Sequence, residues 1–409
     1  MIQTRTAATA TPGPARTPGG SLAKFLALCP EEPFRLFFPF GLALGIAGVA
    51  LWPLYFAGAF ETYPAVSHAR LMVEGMMAAF IFGFLGTAGP RLTETRRFSP
   101  LEVGGLFGLQ LGACILHLAA RPAWGDTLFL VALIFFVRTI GARFAARRDL
   151  PPPNFVLVAL GLLSGVVGTS LIVWCEAWRS STIVYHLGSA LLNTGFVLFP
   201  VLGAGAFLLR KFLGLDEGDD APAMRAPSPA WAAQARWFGL VGLTIVASFI
   251  LEAFDAARLA GGLRALAIAA YLSTAMPVFT RSRSFLACCL ILGLFALVLA
   301  PIWLAVFPFR PVAGLHILFI GGFSVIVFTV GTRVIFGHGG QAHLLGRRLP
   351  FLSVVLGLLI LSLLTRLGAE FVDQFRAEHL VLAAAIWLGA ALIWGWRVVP
   401  HLATPDQGH

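Results

Sequence analysis

Nine histidines carry the metal chemistry open to this chain, and three of them recur at a regular interval. His68 and His186 are 118 residues apart, and His186 and His316 are 130 apart. Neutral imidazole presents one lone-pair nitrogen, a good ligand for haem iron or copper. Two such ligands on different helices at one depth would clamp a b-type haem. A histidine at a membrane interface also has a plainer use, capping a helix or meeting lipid head groups, and that reading stands beside the first for each of the three.

The elements that position these residues follow from composition. The chain has 409 residues, 58% hydrophobic and only 12% charged, with a mean hydropathy of +0.86. A soluble domain carries about twice that charged fraction. Repeated apolar runs of bilayer length predict an all-α, polytopic integral membrane protein, and no short alternating segments of a barrel are visible. About twelve spans are expected: 34–58, 67–90, 101–120, 124–145, 153–175, 183–210, 236–256, 261–280, 284–307, 314–337, 350–368 and 376–400. Residues 1–30 read as a disordered cytosolic tail and 213–232, acidic and Pro/Ala-rich, as a cytosolic linker. The linker joins six spans in 31–212 to six in 233–401, and 402–409 form a C-terminal tail.

Arginine and lysine set the orientation. With the N-terminus in the cytoplasm, inner segments hold Arg91, Arg96, Arg97, Arg143, Arg147 and Arg148, with further basic residues in the later loops. Outer segments hold many of the acids, among them Glu61, Asp126, Glu176 and Glu370. This bias places both termini in the cytoplasm and accounts for the net charge of +10 without a nucleic-acid partner. His68, His186 and His316 then open the second, sixth and tenth spans at one outer level. His117 and His379 fall on that side, and His338, His343, His401 and His409 on the other. One histidine every four spans suggests three four-helix units. The five cysteines form no C-x-x-C pair and read as small packing residues.

Other polar residues have local explanations. Arg70 lies four residues before Glu74 and can pair with it along the helix. Asn193 shares a face with His186 and is expected to bond a neighbouring helix. Arg333 is expected to snorkel to lipid phosphates. The glycines of Gly83-Phe-Leu-Gly-Thr-Ala-Gly-Pro90 are expected to allow close helix packing and to end the helix before Pro90. His316 and His338 close the two ends of one apolar stretch, roughly 33 Å apart in a continuous helix, so they cannot share a ligand.

Several of these segments resemble the NnrS family. His68-Ala-Arg-Leu-Met-Val-Glu-Gly followed by Gly83-Phe-Leu-Gly-Thr-Ala-Gly-Pro is similar to that family's second-helix motif. Tyr185-His186, Gly203-Ala-Gly-Ala, His316, Thr332-Arg333 and Gly337-His338 are similar to its other signatures. The resemblance covers most of 34–400. It implies a multi-pass protein of the bacterial cytoplasmic (inner) membrane that contains haem and copper and serves the response to nitric oxide and nitrosative stress, with no established catalytic reaction. His68, His186 and His316 are then the ligand candidates for haem b or a metal. Where the family has a second histidine and its glutamate, this chain has Arg70 and Leu71. That removes one copper ligand, and Arg70 is left as a partner for a haem propionate.

Twelve spans with histidines on the second, sixth and tenth also resemble the haem-copper oxidase core, as an analogy of architecture. No histidine lies between His186 and His316, so the full copper-ligand set of such an oxidase is missing. The expected partners are membrane lipid, haem and nitric oxide. Two other functions fit the same layout: a secondary transporter of a small solute, and a non-catalytic membrane assembly subunit. The first would need polar groups at the bilayer midplane, where these spans carry little charge. The second would use small-residue stripes such as Gly104-Gly105-Gly108-Gly112, which also serve ordinary packing.

Overall fold

A computed structural model of the chain describes residues 21–178, 181–213, 226–276 and 284–404. Among these residues there are helices and no strands. Twelve long helices follow one another: α1 Phe34–Phe56, α2 Ala65–Leu92, α3 Pro100–Leu118, α4 Pro122–Ala145, α5 Phe155–Trp178, α6 Thr182–Arg210, α7 Pro229–Ala253, α8 Ala257–Ala275, α9 Phe285–Val306, α10 Pro311–His338, α11 Pro350–Gly368 and α12 Arg376–Val398. Eleven are long and apolar enough to cross a membrane. The exception is α8, whose two arginines, Arg258 and Arg264, lower its apolarity. The chain is an all-α multi-pass membrane protein.

Local sequence explains where the helices start. Proline opens α3, α4, α7, α10 and α11, where its missing N–H is one the helix would leave unpaired anyway. Ser99 and Glu102 form a reciprocal capping box at α3. Two expectations are corrected here. Residues 21–28, assigned to the tail, form a short helix, and its Phe25 packs on the core. Pro90 does not end α2, which continues to Leu92. The linker residues 214–225 and tail residues 1–20 and 405–409 lie outside the described residues.

Each helix packs on the next, and α12 packs on α1, so the twelve close into a ring. α2, α6 and α10 bury 89%, 78% and 72% of their most apolar stretch, more than any other helix, so these three line the interior. Close approach depends on glycine. A Cβ at Gly83 would stand 2.9 Å from the Phe34 Cα of α1, as expected of that glycine run. A Cβ at Gly168 of α5 would stand 2.6 Å from the Leu192 nitrogen of α6. In the stripe on α3, Gly112 meets Leu128 of α4, while Gly104 and Gly108 face open space.

The two ends of the chain meet. Fully buried Arg35 donates to Glu32 at 2.6 Å, to the carbonyls of Leu402 and of Thr404 (2.7 Å), and to the His338 carbonyl at 3.2 Å. His338 Nδ1 donates to Glu32 at 2.7 Å, and Arg91 donates to the same carboxylate at 2.7 Å. Termini at one end of the bundle require an even number of crossings, so α8 crosses with the other eleven. His338 is thus a helix-end residue tied into an ion cluster far from His316, and a guanidinium meets the α10 carbonyl end, as the dipole favours. Arg333 stacks over Phe212, 4.8 Å from its centroid.

Candidate functional site

α2, α6 and α10 share a feature that local sequence did not reveal. Each departs from α-helical geometry just after its histidine and runs as π-helix, over Leu71–Met77, Leu191–Gly195 and Ile317–Ser324. A π segment adds a residue to the turn and re-aims the side chains around it, and such segments concentrate at functional sites. Three of them in corresponding places support the reading of three related four-helix units.

His68 and His316 line one cavity of about 420 Å³ between α1, α2, α6, α10, α11 and α12. His68 Nδ1 is 2.9 Å from the Gly48 carbonyl of α1, and His316 Nδ1 is 2.8 Å from the Val312 carbonyl one turn back. A carbonyl only accepts, so both Nδ1 atoms carry the proton and both Nε2 atoms keep a lone pair. Fixing the ligating tautomer through the second ring nitrogen is how proteins present imidazole to a metal. The remaining wall is mostly apolar, with Trp52, Met72, Phe319 and Trp387. Two arginines also line it. Arg366 is buried and donates to Glu370 at 2.8 Å, and Arg376 is exposed. These groups fit a haem: two imidazole nitrogens for the iron, apolar walls for the macrocycle and guanidinium groups for its propionates.

His186 does not join them. It lines a neighbouring cavity of about 320 Å³ with Thr194 and the ion-paired Glu252 and Arg264. Asn193 and Leu315 border both cavities. Asn193 does not bond a neighbouring helix as expected. Its buried Oδ1 has no hydrogen-bond partner. An orphaned polar atom on the wall between two cavities is what a ligand would satisfy.

Arg70 is placed differently from the expected propionate contact. Its guanidinium is 3% exposed and forks onto Asp126 of α4, Nε to Oδ1 at 2.6 Å and Nη2 to Oδ2 at 3.0 Å. Nε is also 3.3 Å from Glu74 Oε1, so the pairing within α2 is present as well. His117 Nε2 meets Glu74 Oε2 at 2.8 Å and stands 3.7 Å from Asp126 Oδ1. Leu71 is fully buried packing. The physical reason is rotation about α2: His68, Ala69, Met72 and Val73 face the cavity, while Arg70 and Glu74 face α3 and α4. The cluster gave one signal in the sequence, an ionisable residue inside a span, and local pairing explained that signal away.

No curated protein matches the sequence. A sequence-family model described as NnrS protein matches residues 30–405, nearly the whole chain, and the protein belongs to the NnrS family.

Proposed function

We propose that this chain is a haem-binding protein of the bacterial inner membrane acting in the response to nitric oxide, with His68 and His316 as the iron ligands. The observation that carries this reading is the pair of imidazoles lining one mostly apolar cavity, each with Nδ1 held by a backbone carbonyl. Bound haem would supply a redox-active iron that takes small uncharged ligands. His68 and His316 would offer their Nε2 atoms to the iron, one of the two imidazoles giving way when a small ligand binds, while the apolar wall would exclude water and Arg366 and Arg376 would meet the propionates. His186 and Asn193, in the adjoining cavity, supply a polar approach to the same region. The chain belongs to the NnrS family, and the part in nitrosative stress that this resemblance implies supports nitric oxide as the small ligand.

The copper implied by the family has no donor at the two positions that depart from its motif. Arg70 is engaged with two acids and Leu71 is apolar. We therefore assign haem and no copper ligand to these positions. The test is an anaerobic optical titration of full-length protein, purified in mild detergent, with nitric oxide. A saturable shift of the Soret band is expected. A haem-loaded protein whose spectrum ignores nitric oxide would refute the ligand, and a protein without a Soret band would refute the haem.

A further inference from the structure

The polar cluster on the far side of α2 has its own chemistry, independent of the haem reading. Its members come from three successive helices: Glu74 from α2, His117 from α3 and Asp126 from α4. One ligand atom from each lies within 4.8 Å of the others, and all three side chains are fully buried. Ligand atoms around a first-row ion, each about 2.0–2.2 Å from it, stand at similar mutual distances.

Charge balance points the same way. Glu176 of α5 lies in electrostatic contact with Asp126, so three carboxylates face one guanidinium, Arg70. Ionised, the group carries two excess negative charges in a site with little water. Such a charge is not left bare in a protein interior; it is neutralised by protons or by a cation. Two further observations point to a ligand. Glu176 Oε2 is buried with no hydrogen-bond partner, and Glu74 Oε1, also without a hydrogen bond, has only its 3.3 Å ion pair with Arg70. The scaffold is also built to hold the imidazole still. A Cβ on Gly125 would fall 2.4–2.7 Å from the His117 ring, so only glycine lets α4 pass there. Gln110 ties the Glu74 and Gly75 carbonyls of the π segment to α3 at 2.8 and 2.9 Å.

We propose that Glu74, His117 and Asp126 form a non-haem site for one divalent first-row cation of the Mn²⁺, Fe²⁺ or Zn²⁺ class. One imidazole nitrogen with two carboxylate oxygens is a borderline-to-hard donor set, suited to these ions more than to thiophilic ones. A divalent ion cancels the two excess charges, and the Arg70 guanidinium, bonded to both Asp126 oxygens, fixes the orientation of that carboxylate.

The test uses full-length protein without a histidine tag, chelator-treated in mild detergent and then equilibrated with Zn²⁺ or Mn²⁺. Bound non-haem metal is measured by elemental analysis and haem by its absorbance. The expected result is about one metal per chain, falling at least about tenfold in His117→Gln and in Asp126→Asn. Haem content should stay unchanged and the exposed-site variant Glu378→Gln should bind as the parent does. If the variants fail to fold, the parent alone decides: its melting temperature must rise with Zn²⁺ concentration. No retained metal and no rise, or equal retention in parent and folded variants, overturns the site and leaves protons as the balancing charge.

Discussion

The two faces of α2 carry the same kinds of residue to opposite ends. On one face His68 looks into a cavity with its Nδ1 satisfied and its Nε2 open. On the other, Arg70 and Glu74 look into space filled by Asp126 and His117. The first face spends its polar contacts on orientation and leaves room for a guest. The second consumes its polar groups on one another and leaves an excess of negative charge. Residue type did not separate them, since both hold ionisable groups inside a span; their neighbours did.

The largest expected effect lies on the filled face. Arg70→Met strands Asp126 and Glu74 without their guanidinium, and stripping one partner from a buried pair costs about 3–5 kcal/mol. Thermal denaturation in detergent should show that loss, and adding Asp126→Leu should recover much of it. A loss below about 1 kcal/mol, the size of an exposed pair, would break the contrast.

The second effect is a reference outside both faces, at the joined termini. Burial alone would push the Glu32 carboxyl up, but the hydrogen bond from His338 and the charges of His338 and Arg35 overcome it and hold it down to about 2. A carboxyl lowered on folding stabilises the native state above its ordinary value of 4.5, and that stabilisation fades as pH falls toward 2. Glu32→Gln should flatten the acid limb of the stability profile between those limits. An unchanged acid limb would show that Glu32 does not anchor the ends.

The open face should respond in the reverse sense. Ala69→Phe puts a ring into existing space, so it should lower haem content severely while changing stability by no more than about 1 kcal/mol. If the variant keeps its haem, the cavity is not the binding space. The smallest effect is Ser67→Ala, which removes the 2.8 Å bond from Ser67 Oγ to the His117 carbonyl. Hydrogen bonds between membrane helices average about 0.6 kcal/mol, and a loss of that size with unaltered haem is expected.

The helices were legible because each apolar run is its own record. Twelve expected spans correspond to α1–α12, and proline marks five of the starts. That His68, His186 and His316 each sit near the start of a span was legible too. What the sequence did not disclose depends on contacts between distant helices. Arg70 and Asp126 are 56 positions apart, so the i+4 partner Glu74 was the pairing in view. That His186 opens into the next cavity depends on how α6 rotates against α10. The three π segments have no periodicity signal of their own in runs where nearly every residue is apolar.

The central claim is that His68 and His316, and not His186, hold a haem. It is tested by oxidised and reduced optical spectra of the full-length protein with each histidine changed singly to alanine. A b-type, bis-imidazole spectrum is expected in the parent and in His186→Ala, and its loss in both His68→Ala and His316→Ala. A parent-like spectrum in either of those two variants, or its loss in His186→Ala alone, would contradict it.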